Sequence, residues 1–197
     1  KKGSKESKHL RVLVGSALML AIMMMLQFSG LGILMITPTG VTILQVPVII
    51  ATLALGLPSG LFLGLSFGLL SMYTAYTTPA LLNVPFMNPV VAVLPRLLIP
   101  LAVYLLSRLL RYDGQHPVWW KSFLLGAAGS LTNTVFVLAS MALLYGDITM
   151  EALGVSRNAL FGAVVAYGAA SGLPEAGVCA LLCAAILGAL RLVNKKR

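Results

Sequence analysis

Two ionisable residues, Arg96 and Glu175, interrupt long apolar stretches of this sequence. From Val12 to Pro95 the chain runs 84 residues without an Asp, Glu, Lys, Arg or His, and Arg96 lies in the apolar stretch that follows. An ionised residue at the centre of a membrane helix costs about 2.5–3.5 kcal/mol on insertion scales, so it usually marks a functional site. Because guanidinium presents a planar fork of donors, Arg96 is a candidate for binding a ligand carboxylate.

Four further side chains complete the candidate site. Asn133 and Gln45 supply amides within apolar segments, and Tyr73 and Tyr76 supply aromatic rings. One cation, a carboxylate, amides and aromatic rings suit a small amphiphilic acid, whereas a bare metal ion would need more carboxylates. A second interpretation is open, in which the two charged residues form an ion pair that only fixes helix geometry and the amides bond between helices.

Cysteine and histidine do not point to a metal or to hydrolase chemistry. Cys179 and Cys183 share a helix face, but two thiolates without a neighbouring His, Asp or Glu make a poor metal site, which favours buried packing. His9 and His116 lie in predicted cytoplasmic segments, outside the apolar stretches. Ser66 or Ser71 as a nucleophile would therefore lack a base, and an enzyme is not expected.

Composition indicates which elements must position these residues. Hydrophobic residues make up 59% of the 197 residues, charged ones 10%, and the mean hydropathy is +0.96. In lipid, backbone groups must be paired within helices or closed barrels, and apolar segments near 20 residues without alternation favour helices. The sequence predicts an all-α, polytopic membrane protein with one membrane domain over residues 1–197 and six transmembrane helices near 12–28, 41–57, 59–76, 89–111, 119–145 and 173–193.

The segment 146–172 is predicted to be an outer loop with an apolar lead-in, because Gly172 and Pro174 interrupt the pattern before the last helix. Two other connections, 29–40 and 77–88, contain no charges and several prolines. Irregular, apolar backbone at membrane depth is tolerated where it lines a cavity or is buried in protein. These two connections are therefore candidate lids over a pocket.

Basic residues predict the orientation of the chain. With six spans, twelve of the fourteen Lys and Arg residues fall on the side of the two termini. Short cytoplasmic loops carry such an excess, so both termini are expected in the cytoplasm of a multi-pass cell-membrane protein. This topology and attraction to anionic membrane lipid account for the net charge of +9 without a nucleic-acid partner.

Small residues recur every four positions on two predicted helices. Gly60, Gly64 and Gly68 form one such face, and Ala17 and Ala21 form a shorter one. Faces of this kind let membrane helices approach closely. Packing inside the bundle and docking of another membrane protein are both open, with Ala17, Ala21, Gly60 and Gly64 as the docking candidates.

Several motifs resemble the substrate-binding S components of the energy-coupling factor (ECF) vitamin transporters, in particular the pantothenate-type group. The similar stretches cover nearly the whole chain, and one departure is Gln45, where many relatives have His. They are TILQVPVII at 42–50, GLFLGLSFGLLS at 60–71, NPVVAVLPRLL at 88–98, GSLTNTVFV at 129–137 and GLPEA at 172–176, together with the alanine pair of the first helix.

The resemblance implies a six-helix bundle that captures a vitamin, pantothenate being favoured, in an outward-facing pocket covered by loops. It also implies a partner ECF module of two cytoplasmic ATPases and a membrane coupling T protein, which the first helix meets through Ala17 and Ala21. ATP would be used by those partners, and the sequence has no Gly-Lys-Ser/Thr phosphate loop of its own. The alternative is a self-sufficient secondary transporter or channel for a small organic acid, although no inverted repeat or proton-relay chain is evident.

Overall fold

The computed structural model describes residues 2–34, 41–78, 81–113 and 118–195. Within these ranges the chain is an all-α membrane protein with five helices long and apolar enough to cross a bilayer. In chain order the elements are α1 Lys2–Phe28, β1 Ile33–Leu34, β2 Val41–Thr42, α2 Gln45–Leu55, α3 Leu57–Thr77, the 3-10 helix η1 Leu81–Met87, α4 Pro89–Ala92, α5 Leu94–Leu109, α6 Trp119–Leu144, α7 Gly146–Leu153, the 3-10 helix η2 Arg157–Ala159 and α8 Leu160–Lys195.

Helices α1 and α3 run in parallel, as two side-chain hydrogen bonds show, one from the middle and one from the end of α1. Ser16 Oγ donates to Ser59 Oγ at 2.9 Å, and Gln27 Nε2 donates to Thr74 Oγ1 at 2.8 Å. The chain returns between them through the antiparallel pair β1–β2 and helix α2. The 11 residues of α2 cover about 16 Å, roughly half the hydrocarbon core, and residues 45–52 are all buried.

The glycines of α3 pack against α5 inside the bundle. A methyl group added at Gly64 would lie 2.6 Å from the backbone oxygen of Arg96, and one at Gly68 would lie 2.8 Å from Val93 Cα. The two helices therefore run antiparallel with their backbones in contact, as small residues permit. This is the internal packing that the spacing left open. Gly60 and Gly64, two of the docking candidates, are buried in this contact, which favours internal packing over docking for them.

Helices α6 and α8 also pack antiparallel, with Gly126 against Ala180 and Gly172 against Thr134. Since α5 and α6 are joined by a short connection, α1, α3 and α6 begin at the same end of the bundle at which α5 and α8 terminate. We call this the basic end. Its described exposed or partly buried basic side chains are Arg11, Arg108, Arg111 and Lys121.

The last helix is longer than the sequence predicts. The break expected at Gly172–Pro174 is absent, and α8 continues for 36 residues through Pro174. A membrane helix tolerates proline where neighbouring groups satisfy the freed backbone, at the loss of one backbone hydrogen bond. The segment 146–172 is therefore helical rather than an irregular loop, because it contains α7, η2 and the first third of α8. The predicted span 89–111 corresponds to the candidate membrane span Pro89–Leu109, which is divided at Val93 into α4 and α5.

The two candidate lids lie only partly within the described ranges. Residues 35–40 and 79–80 are outside them, including Pro38 and Pro79. Of the remainder, 33–34 pair with 41–42 as β1–β2, and 81–87 form η1. Phe86 of η1 reaches the guanidinium of Arg96, so this part of the second connection covers a candidate site residue.

Candidate ligand-binding site

A cavity of about 180 Å³ lies in the half of the bundle away from the basic end. The later turns of α6 and the earlier turns of α8 form most of its wall, and α5, α7, η1 and β2 complete it. Three predicted site residues, Arg96, Asn133 and Glu175, line this one cavity. The other lining residues are Thr42, Phe86, Thr134, Val137, Leu138, Met141, Thr149, Leu153, Tyr167 and Ser171.

Arg96 is held in place by aromatic rings and by the backbone. Its guanidinium carbon lies 5.3 Å from the ring centroid of Phe67 and 5.0 Å from that of Phe86, a position that favours a cation. Nη1 donates to the Val91 carbonyl at 3.0 Å, and Nη2 donates to Ser71 Oγ at 3.2 Å. Nε is buried, and no described residue gives it a hydrogen-bond partner. The guanidinium is thus fixed in orientation and still has a donor to offer.

Gln45 fixes the carboxylate of Glu175 from behind the cavity. Its Nε2 donates to Glu175 Oε1 and to Ser130 Oγ, each at 2.8 Å, and lies 3.2 Å from Cys179 Sγ. Gln45 is fully buried and is not among the lining residues, whereas Glu175 is. The structure therefore brings Gln45 to the site as a support for the carboxylate.

The ion pair that would have explained the two charged residues is not formed. Arg96 and Glu175 line the same cavity without an N···O contact within 4.0 Å, and the ion pair found among the described residues joins Arg157 to Asp147 on the surface. Asn133 is 7% exposed, and its buried Oδ1 has no hydrogen-bond partner within the described part of the chain. Since buried polar atoms are normally hydrogen-bonded, these unpaired atoms at a cavity indicate a place for a polar ligand.

The two predicted tyrosines lie away from the cavity. Tyr73 and Tyr76 are 54% and 63% exposed, on the outside of α3. Tyr73 packs edge-on against Phe28 of α1, with ring centroids 6.0 Å apart, and the Tyr76 hydroxyl donates to the Met87 carbonyl at 3.4 Å. The structure thus does not bring them together with the other predicted site residues.

Ala17 and Ala21 lie on an exposed face of α1. This helix is the least buried of the five long ones, and exposed side chains such as Leu13, Leu18 and Met25 surround the alanine pair. In contrast to the glycines of α3, the alanines therefore have a surface that another membrane helix can reach.

Five polar residues that the sequence analysis does not single out also line the cavity, namely Thr42, Thr134, Thr149, Tyr167 and Ser171. Tyr167 and Ser171 precede Glu175 by eight and four residues, so the three share one face of α8. The four-residue spacing indicates a shared helix face only if the segment is helical, and the sequence predicts a loop there. Thr149, whose Oγ1 donates to the Tyr145 carbonyl at 2.8 Å, lies on the short helix α7 and has no comparable pattern.

The arrangement has the chemistry of a site for a small polar acid. A guanidinium offers donors, a carboxylate and an amide oxygen offer acceptors, and Val137, Met141 and Leu153 supply an apolar wall. Among the residues that the structure describes, there is no group of three His, Cys, Asp or Glu side chains that could hold a metal ion.

The chain belongs to the family of ECF transporter substrate-specific components. The family described as "ECF transporter, substrate-specific component" matches residues 11–187, which is most of the chain. It is therefore a membrane transport protein and not an enzyme.

Two relatives are named for one vitamin. The chain is 34% identical over 191 residues to the "Pantothenic acid transporter PanT" of Lactococcus lactis subsp. cremoris, with 88% of this chain and 90% of that protein covered. It is 30% identical over 123 residues to the "Pantothenate transporter PanT" of Leuconostoc mesenteroides subsp. mesenteroides, with 61% of this chain and 60% of that protein covered.

Proposed function

We propose that this chain is the substrate-capture subunit of an ATP-driven ECF importer and that it binds pantothenate in the cavity beside Arg96. The observation that carries the proposal is a cavity in which a fixed guanidinium and an amide each have an unpaired buried atom. A ligand with a carboxylate and hydrogen-bonding groups would satisfy both. The names of the two relatives support pantothenate as that ligand.

Each polar residue receives a role in this proposal. Arg96 binds the ligand carboxylate through its free donors, since charge-assisted hydrogen bonds are the stronger kind. Asn133 and Glu175 accept hydrogen bonds from the hydroxyl and amide groups of the ligand, and Gln45 holds Glu175 in position. The aliphatic side chains of α6 and α7 pack against the methyl groups of the ligand.

The proposed topology has six passes, with both termini cytoplasmic and the cavity facing outward. Support comes from the parallel arrangement of α1 and α3, which requires the chain to return across the bundle through α2. Basic residues at the end opposite the cavity support a cytoplasmic location for that end.

The proposed partners are two cytoplasmic ATPases and a membrane T protein, with ATP consumed by the partner subunits. Membership of the family supports an ECF module, and the exposed alanine face of α1 supports docking of the T protein there. Membrane lipid would cover the rest of the apolar surface.

Calorimetric titration of the purified chain with pantothenate tests the ligand. We expect tight binding that Arg96→Ala weakens by about 10- to 100-fold, because a hydrogen bond to a charged group contributes about 1.5–3 kcal/mol. Arg108→Ala, on the same helix but exposed at the basic end, is the matched control and should bind normally. Absence of binding in the unmodified chain would overturn the pantothenate proposal.

Uptake into cells that carry an ECF module tests the coupling. Replacing Ala17 and Ala21 with leucine should leave pantothenate binding unchanged and abolish uptake, because the larger side chains hold the T protein away. Leucine at Ala185 and Ala189, also exposed and four residues apart but on α8, is the control that should retain uptake. Uptake by the unmodified chain without a module would instead identify a self-sufficient secondary transporter.

A further inference from the structure

The polar atoms that the cavity offers a ligand differ between its two sides. On the α5 side, Arg96 supplies donors, and its guanidinium is fixed between two aromatic rings. On the α6–α8 side, Asn133 Oδ1 and the carboxylate of Glu175 supply acceptors, beside hydroxyl groups that can donate or accept. An anionic group at one end of a ligand and hydrogen-bond donors at the other would satisfy Arg96 and these two acceptors.

Among the described residues, no cationic side chain lies within 4.0 Å of the Glu175 carboxylate. Its contact with Gln45 is with the neutral Nε2 amide, at 2.8 Å. The other described acceptors of that amide, Ser130 Oγ, Cys179 Sγ and the Thr42 carbonyl, are neutral groups as well. No other Asp or Glu is among the lining residues that the structure describes, so an ionised Glu175 would be the source of negative charge on this side.

We infer that Glu175 makes the site selective for hydroxy acids whose hydroxyl end is uncharged, and that it rejects their phosphate esters. This inference rests on the proposed function, because it takes the ligand carboxylate to lie at Arg96. A free hydroxyl donates to the carboxylate. A phosphate at the same place brings a like charge, and juxtaposed like charges suppress binding of the wrong partner.

Gln45 is a positioning residue in this scheme, since its amide donates to Glu175 without neutralising it. A Lys or Arg at that position would cancel the charge of Glu175 and remove the discrimination. The importer would thereby admit the free vitamin and exclude its phosphate ester. That ester is the product of a reaction that transfers a phosphoryl group to the hydroxyl of the vitamin.

The test compares the affinities of pantothenate and of its phosphate monoester, measured by calorimetry on the full chain in detergent. We expect the unmodified chain to prefer pantothenate by about 100-fold or more. In Glu175→Gln this preference should fall to about tenfold or less, chiefly through tighter binding of the ester, because glutamine keeps the size and loses the charge. Glu151→Gln removes one negative charge from the exposed face of α7 and should leave the preference unchanged.

The outcomes separate the two proposals. An unmodified chain that does not bind pantothenate would overturn the proposed function and this inference with it. If the unmodified chain binds pantothenate, and its preference for pantothenate over the ester is the same as that of Glu175→Gln, the inference alone would be overturned. If Glu175→Gln does not yield folded protein, Glu175→Ala makes the same comparison, because it also removes the charge.

Discussion

The packed contact between α3 and α5 and the open cavity between α5 and α8 lie on either side of one residue, Arg96. On the first side Gly64 lies against the backbone oxygen of Arg96, with no room for even a methyl group. On the second side the guanidinium lines a cavity, and its Nε has no partner. The comparison shows that backbone contact positions the residue, while the hydrogen-bonding capacity of its side chain is left for a ligand.

The two regions also differ in what they contribute to stability. Close helix contact stabilises the bundle through dispersion and excludes lipid. An unpaired buried polar atom costs about 1–3 kcal/mol, so the cavity reduces the stability of the ligand-free protein. A ligand that pairs Arg96 Nε and Asn133 Oδ1 removes this cost.

Substitution of Gly64 by alanine should have the largest effect, because it should lower both the stability of the protein and its affinity for pantothenate. The added methyl group meets backbone, which cannot move like a side chain, so overpacking of about 1–3 kcal/mol is expected. Both the melting temperature and the pantothenate affinity should fall, the affinity at least tenfold, because α5 carries Arg96 with it. Gly177→Ala on α8, where nothing lies within 4 Å, is the control and should change neither. If Gly64→Ala keeps both values, the α3–α5 contact does not position Arg96.

Asn133→Ala should affect the cavity alone. Because its Oδ1 has no partner, its removal should leave the melting temperature of the ligand-free protein unchanged or raised. The pantothenate affinity should fall by about tenfold, which corresponds to about 1.4 kcal/mol. Asn158→Ala, exposed in η2, is the control. A fall in ligand-free stability as large as that of Gly64→Ala would place Asn133 with the packing residues.

The smallest effect is expected for Tyr73→Leu and Tyr76→Leu. Both side chains are exposed and outside the cavity. Calorimetry should therefore give pantothenate affinities within about twofold of the unmodified chain, a smaller change than the loss of one hydrogen bond to the ligand would cause. Tyr145→Leu is a comparison variant at the cavity side of the bundle, because it removes a tyrosine whose hydroxyl accepts a hydrogen bond from Asn88. A large loss in either α3 variant would restore the role that the sequence predicts for these rings.

The long apolar segments were predictable because lipid imposes both their composition and their length. Arg96, Asn133 and Glu175 could be singled out for the related reason that polar side chains are rare there, and they line one cavity, while their roles in ligand binding stay predictions. The course of α8 was not, since the pair Gly172 and Pro174 is typical of a helix end, and only tertiary contacts decide whether a proline is tolerated.

Whether a helix face points into the bundle or outward was also hard to predict. The alanines of α1 and the glycines of α3 show the same four-residue spacing, yet the first pair is exposed and the second is buried against α5. Tyr73 and Tyr76 follow the glycines on the same helix and point away from the cavity. Spacing defines a face, but the neighbouring helices determine which way that face points.

The uninterrupted length of α8 has a consequence for hydrophobic mismatch. Its 36 residues measure about 54 Å, and a bilayer offers about 30 Å of hydrocarbon, or about 20 helical residues. If the hydrocarbon boundary at one end lies near residue 191, where the basic residues begin, the opposite boundary lies near residue 171 for an upright helix. Tyr167 then stands in the headgroup region, and Glu175 lies about 6 Å below the boundary. On this placement the carboxylate would lie in the shallow, more hydrated part of the membrane, where a charge is far less costly than at the midplane.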